Sequence, residues 1–109
     1  MRTLQLAVTQ GTFLNASGNG SISLGPSWNG EEWDVTSSSI NNSDSSTLPQ
    51  IKLAYNGGSV QIDASKLGGF NTSGIPYNLK AGQFVTATWT GGVANSFVSL
   101  SLTGTKILP

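Results

Sequence analysis

Apolar and polar residues alternate along most of this chain, which is the pattern of strands with one buried face. In Arg2–Thr9, for example, Leu4, Leu6 and Val8 fall on one face, with polar residues between them. The same period of two recurs in segments 21–24, 32–40, 50–55, 59–63, 84–90 and 96–107. Such alternation predicts half-buried strands. No segment repeats apolar residues at helical spacing, so the sequence predicts an all-β fold of about seven or eight strands.

Glycine-rich turns separate these segments and predict how the strands connect. The turn at 16–20 should join the long first strand to a shorter second strand as a hairpin, and similar hairpins are expected at 56–58 and 90–95. Segment 64–80 lacks alternation and predicts a long connection between two sheets. Short strands with turns at this spacing indicate one domain over residues 1–109, an antiparallel β-sandwich of the Greek-key or jelly-roll type.

The predicted core consists of the apolar face of each strand. Within segment 32–40, constant alternation places Trp33, Val35 and Ser37 on the inner face and Ile40 on the outer face. Trp33 and Trp89 are both predicted to be buried, because large aromatic residues on inward faces pack between sheets. The full inward set is Leu4, Leu6, Val8, Ile22, Leu24, Trp33, Val35, Ile51, Leu53, Val60, Ile62, Val85, Ala87, Trp89, Val98, Leu100 and Leu102.

Charge is scarce in this chain, and that changes the expected partners. Charged residues make up 9% of the 109 residues, and the five basic and five acidic side chains cancel. Ordinary domains carry about 25% charged residues. Binding to nucleic acid or to an anionic membrane needs a basic excess, so neither is predicted. A surface with weak self-repulsion favours association, so we expect a homo-oligomer.

The chain contains no histidine and no cysteine. The usual general base, the usual zinc ligands and any disulfide are therefore excluded. Glu32 and Asp34 share one face of a strand and could form a glycosidase pair, but a role as solvated surface charge that discourages edge pairing is favoured. Asp34, Asp44 and Asp63 are too dispersed for a typical calcium loop. The sequence predicts no cofactor, no metal and no enzymatic activity.

The first residues do not resemble a targeting segment. Segment 1–14 contains one arginine, and its apolar residues alternate with polar ones rather than forming a continuous run. A secretory signal peptide needs a continuous apolar stretch, and a membrane-spanning helix needs a longer one. This segment is therefore predicted to be a strand.

The loop after Pro26 holds the residues that packing explains least. Trp28 lies there beside Asn29 and Glu31, while Tyr55 and Tyr77 lie near strand ends. Exposed aromatic rings can form a platform for sugars or a contact between subunits. These five residues are the candidate contacts for a partner or ligand. Packing of Trp28 over one end of the sandwich is an equally open alternative.

The order of the motifs resembles that in a group of small all-β virion proteins of tailed bacteriophages, chiefly those infecting actinobacteria. The carrying segments are GNGSISLGP, EEWDVTSSSI, LPQIKLAYNG, GGFNTSGIPYNLKAGQFVTATWTGG and VSLSLTGTK, which together cover nearly the whole chain. In that group a glycine-rich turn and strand precede a tryptophan strand, a proline-led strand ending in tyrosine, and a strand ending in Trp-x-Gly-Gly. The matching positions are Gly18, Gly20, Gly25, Pro26, Trp33, Pro49, Tyr55, Gly82, Trp89, Gly91, Gly92 and Gly104.

The resemblance implies a structural role in the virion, as a capsid-decorating or tail-associated protein present in repeated copies. It implies contacts with other virion proteins and with copies of the chain, and it carries over no catalytic residue. A carbohydrate-binding module for host-surface glycans is the alternative hypothesis, and it depends on Trp28, Tyr55 and Tyr77. An enzyme is the weakest of the three hypotheses.

Overall fold

The chain folds into antiparallel strands. A computed structural model describes residues 2–26, 29–44, 46–47, 49–55, 63–67, 70–71 and 77–109, and for Tyr55, 63–67 and 70–71 the backbone alone. These residues form nine strands and no helix. The strands are β1 (Arg2–Phe13), β2 (Gly20–Leu24), β3 (Glu32–Asn42), β4 (Gln50–Tyr55), β5 (Asp63–Leu67), β6 (Phe70–Asn71), β7 (Tyr77–Lys80), β8 (Val85–Thr90) and β9 (Phe97–Leu108).

Two antiparallel sheets enclose the core. Sheet A has the order β1-β9-β3, with β6 and β7 both pairing with β3. Sheet B has the order β2-β8-β4-β5. The buried apolar side chains of both sheets form a single cluster. This confirms the predicted all-β, sandwich-like architecture, whereas the Greek-key or jelly-roll connection stays a prediction.

Two predicted hairpins are wrong, because the chain changes sheet where a hairpin was expected. β1 pairs with β9 rather than β2, and β2 pairs with β8, which lies in the other sheet from β9. The crossing loops 14–19 and 91–96 lie side by side and bond to each other. Gly92 N–H donates to the Gly18 carbonyl at 2.9 Å, and Gly91 N–H donates to Asn19 Oδ1 at 2.9 Å. In a hairpin, the backbone groups of such a loop would bond within the loop or to its own two strands. Here backbone groups of each loop form hydrogen bonds with the other loop instead.

The segment 64–80 was predicted to be a connection without strands, and it contains most of β5 and all of β6 and β7. β5 pairs with β4 in sheet B, whereas β6 and β7 pair with β3 in sheet A, so the predicted crossing between sheets is present. Alternation failed here because β6 and β7 have only two and four residues, which is too short for a period of two to stand out. The predicted strand at 59–63 falls, apart from Asp63, outside the described residues, and so do the predicted core residues Val60 and Ile62.

Most of the predicted core is buried, including both inward tryptophans: Trp89 is fully buried and Trp33 is 7% exposed. The prediction for Leu4 is wrong, because its side chain is 48% exposed. Leu4 lies on the same face of β1 as Leu6, but near the end of a 12-residue strand, whereas the described strands of sheet B have at most 6 residues. Sheet A is longer than the described strands of sheet B, and these strands leave its far end uncovered.

A β-bulge in β3 reverses the predicted faces in the second half of that strand. Val35 lies opposite Gly104, and the next residue in register with β9 is Ser37, opposite Thr103, so Thr36 is the inserted residue. The insertion shifts the alternation by one, as a bulge must. Ser38 and Ile40 are therefore fully buried, where Ser37 had been predicted to face inward and Ile40 outward. Gly104 makes room for the bulge, since a Cβ there would overlap the Asp34 carbonyl oxygen.

Candidate functional site

The open end of sheet A forms a cleft beside two of the predicted contact residues. Asn29 and Gly30 form a turn just before β3, and Gly30 has a φ of 86°, which glycine adopts without strain. The turn packs next to Pro109 at the end of β9. The cleft between them has a volume of about 370 Å³ and is lined by Leu4, Asn29, Glu31, Lys106, Leu108 and Pro109.

A buried carboxylate lies in the wall of this end cleft. Glu31 is 4% exposed, and its Oε2 accepts a hydrogen bond of 3.1 Å from Trp33 Nε1–H. Lys106 Nζ lies 3.6 Å from the same oxygen and 5.9 Å from the centre of the Trp33 ring. The ammonium is thus within range of both an ion pair and a cation–π contact. Together these contacts offset the cost of burying the Glu31 charge.

A second cleft lies on the other side of the same turn. It has a volume of about 270 Å³ and is lined by Asn29, Gly30, Glu31, Glu32, Lys80 and Ala81. Beside it, Asn78 Nδ2 donates to Asp34 Oδ1 at 2.6 Å and to Glu32 Oε2 at 3.3 Å. The two carboxylates considered as a glycosidase pair thus share one amide donor. They do not protect a free edge, as had been predicted, because this part of β3 lies between β7 and β9.

The end cleft combines apolar walls with a small number of polar groups. Leu4, Leu108 and Pro109 supply apolar surface, while Asn29 and Lys106 supply hydrogen-bond donors. Sites for small ligands generally have this composition, with polar groups that fix the ligand's orientation. The arrangement can hold a small group that has both an apolar surface and hydroxyl or carbonyl oxygens.

The structure brings together Asn29 and Glu31, and it separates them from Tyr77. Trp28 and the side chain of Tyr55 lie outside the described residues. Tyr77 is partly buried and packs against the core, and its hydroxyl lies 2.7 Å from Oγ of the fully buried Ser38. Its ring therefore contributes to the core of the sandwich rather than to an exposed platform.

The environment of Tyr77 gives a pH-dependent prediction. Burial raises its pKa to about 12, although the Ser38 hydrogen bond acts in the opposite direction. In the unfolded chain the phenol ionises near pH 10. The folded state therefore retains this proton between about pH 10 and 12, and the contribution to stability is complete below pH 10 and is lost as the pH rises through that window. The chain has two tyrosines, so ultraviolet absorbance of the Tyr55→Phe variant titrates Tyr77 alone.

We expect the single transition of Tyr55→Phe near pH 12, and no such transition in Tyr77→Phe. Ionisation of the folded Tyr55→Phe variant near pH 10 would show that the Tyr77 hydroxyl is in contact with water.

The outer face of sheet A is a second candidate surface, with hydroxyl groups in register across three strands. Its rows run from β1 through β9 to β3, and we call the region the hydroxyl face. The rows are Ala7–Thr103–Ser37, Thr9–Ser101–Ser39 and Gly11–Ser99–Asn41. None of these nine residues is charged or fully buried. Strand spacing of about 4.8 Å and a two-residue repeat of about 6.6 Å make such a face a flat array of donors and acceptors.

An exposed aromatic pair borders the hydroxyl face. The rings of Phe13 and Phe97 meet edge to face with centres 5.3 Å apart, and the side chains are 68% and 42% exposed. The Phe97 ring covers Gly11, where it occupies the space that a Cβ would need. Exposed aromatic side chains beside a polar surface are typical of protein interfaces.

Sequence reasoning missed Lys106, Leu4 and Leu108 as neighbours of Glu31. A usable signal existed for Lys106, because it lies on the inward face of β9 in phase with Val98, Leu100 and Leu102. A charged side chain at an inward position indicates either an oppositely charged side chain beside it or an end of the sheet that is not covered.

Among the described residues, no group of three or more acidic, histidine or cysteine side chains could hold a metal ion. That part of the chain also has no helix of the length and hydrophobicity needed to cross a membrane. Comparisons of this chain with protein-family models, with curated proteins and with solved structures find no match.

Proposed function

We propose that this chain is a non-enzymatic structural protein of a bacteriophage virion, which decorates the capsid or associates with the tail by binding other virion subunits and itself. The observation that carries the proposal is the hydroxyl face with its bordering phenylalanine pair. The resemblance of the motif order to small virion proteins supplies the biological setting, in which the protein is made in the host cytoplasm and then assembled on the particle.

The chemistry of the hydroxyl face suits a protein partner that repeats on a symmetric particle. Outward Thr9 and Ser101 bond to each other at 3.0 Å, so each hydroxyl also has capacity left for a partner. Interfaces of standard size bury about 800 Å² on each partner and are poor in charge at their centre. A flat, uncharged face with two aromatic side chains at one end meets the second requirement, a centre poor in charge.

The test is cosedimentation of the purified chain with tailed-phage particles from actinobacterial hosts. Ser99→Arg places a charge on the central strand of the hydroxyl face, beside the phenylalanine pair, and we expect it to abolish binding, since an unpaired buried charge is costly. Thr88→Arg makes the same change on the outer face of sheet B and should bind normally. The proposal fails if the unmodified chain does not sediment with particles, or if the two variants bind equally well.

Carbohydrate binding is the second candidate function, and the end cleft favours it. Sugar rings present apolar C–H surface together with hydroxyl groups, and the cleft offers apolar walls beside Asn29 and Lys106. A glycan array tests this candidate, with Asn29→Ala as the variant that removes a polar contact. Specific binding that is lost in Asn29→Ala would support the candidate, whereas an array without hits would exclude it for the glycans tested.

A further inference from the structure

Within the part of the chain that the structure describes, the outer edge of β1 is a long strand edge without a partner. β1 pairs with β9 over all 12 residues on one side, and no described residue hydrogen-bonds to its backbone on the other side. In an antiparallel ladder every second residue directs its N–H and C=O away from the neighbour, so about six residues present free backbone groups. Proteins usually protect such edges with charge, proline or a bulge.

β1 has almost none of these protective features. Arg2, at its first position, is its one charged residue, and the strand contains no proline. Its register with β9 is continuous from Arg2 to Phe13, so no bulge bends the edge away. The short edge strand β2 of sheet B lies beside β1, which places two strand edges on one side of the molecule.

We propose that β1 pairs antiparallel with β1 of a second copy, joining the two A sheets into one continuous sheet across a two-fold axis. This inference specifies the self-contact of the proposed virion function and in that sense rests on it. The charge pattern favours a second copy, because an edge uncharged from Thr3 to Phe13 matches another uncharged edge. Antiparallel pairing also separates the two Arg2 side chains to opposite ends of the interface.

The geometry of the two sheets restricts the register. A two-fold axis perpendicular to the joined sheet keeps both hydroxyl faces on the same side. Directly opposite residues in an antiparallel pair share a face, so odd positions must oppose odd positions. One residue of β1 then lies directly opposite its own copy, with the axis between the two. The number of paired residues is greatest when that residue is Ala7 or Val8. With the axis at Ala7 the two Ala7 side chains are directly opposite, and with the axis at Val8 they are diagonal neighbours. In either register the joined sheet has a hydroxyl face of twice the width.

A charge-swap experiment tests the pairing. Ala7 is exposed on the outer face, so Ala7→Lys and Ala7→Glu should both fold normally, as circular dichroism can check. Each variant alone places like charges near the axis and should raise the dissociation constant of the dimer several-fold in sedimentation equilibrium. An equimolar mixture places opposite charges there and should restore dimerisation. Thr88→Lys and Thr88→Glu, on sheet B, are the matched controls and should dimerise like the unmodified chain.

The register has its own measurement. The chain lacks cysteine, so single-cysteine variants can be spin-labelled at one position, and Thr3, Gln5, Ala7 and Thr9 all project from the outer face. Interchain distances should be smallest at Ala7 if the axis lies at Ala7, and equally small at Ala7 and Thr9 if it lies at Val8. In both registers they should increase by about 13 Å for each two-residue step from Ala7 towards Thr3. A monomeric chain, distances that do not change in this order, or no recovery in the Lys/Glu mixture would overturn the inference. Cosedimentation of the unmodified chain with particles is a separate readout, and particle binding by a chain that stays monomeric in solution would leave the virion function intact while the edge pairing failed.

Discussion

Replacement of Trp33 by alanine should lower the free energy of unfolding by about 3–5 kcal/mol, the range for truncation of a large buried aromatic residue. Trp33 is 7% exposed, and its loss also removes the indole N–H that donates to the buried Glu31 carboxylate. Lys106 would lose the ring beneath its ammonium group as well. Equilibrium denaturation followed by circular dichroism measures the change without depending on tryptophan fluorescence.

Trp33→Phe is the matched control, because it keeps an aromatic ring in the core and removes the N–H donor. We expect a smaller loss, about 1–3 kcal/mol, the cost of leaving a buried charged acceptor with one partner fewer. A loss below about 1 kcal/mol in Trp33→Ala would contradict the burial of this side chain. Equal losses in the two variants would assign most of the effect to the hydrogen bond with Glu31.

Replacement of Gly104 by alanine is the second change with a large expected effect. The added Cβ would overlap the carbonyl oxygen of Asp34, which belongs to the backbone of the neighbouring strand and can move only if the β3 bulge moves. We expect a loss of about 3 kcal/mol, the upper part of the range for overpacking. The midpoint and slope of urea denaturation give this value, and the slope shows whether the folded state remains compact.

Gly11→Ala is the control for Gly104→Ala, because Gly11 also lies within a strand of sheet A. A Cβ at Gly11 would overlap the Phe97 ring, but that side chain is 42% exposed and can rotate into solvent. The expected loss is below about 1 kcal/mol. If both alanine variants lost the same stability, the close approach at Gly104 would not be the cause.

Alternation in the sequence predicted the strands and most of the core, since a period of two reports directly which side chains face inward. It could not reveal the bulge at Thr36, because one inserted residue changes the phase without changing the composition. The burial of Ser38 and Ile40 followed from that shift. Hairpins were predicted from turn residues such as those at 16–20, and these residues suit a crossing between sheets equally well.

The candidate site was partly predictable. Asn29 and Glu31 stood out because the loop that contains them had no packing explanation in the sequence. Their neighbours Leu4 and Lys106 lie at opposite ends of the chain, and they approach Glu31 only because β1 pairs with β9 and β9 with β3. No local pattern encodes a contact between residues so far apart. The exposure of Leu4 likewise depends on the unequal lengths of the two sheets.

The position of β9 between β1 and β3 also constrains when this protein can fold. The strand between them, β9, follows both in the sequence, so β1 and β3 have no common partner until β9 has been synthesised. Contacts between such distant segments carry a large loop-closure cost and slow the folding of β proteins. On the ribosome, the nascent β1 must therefore wait until β9 has been synthesised, and its uncharged edge is open to misassembly during that time.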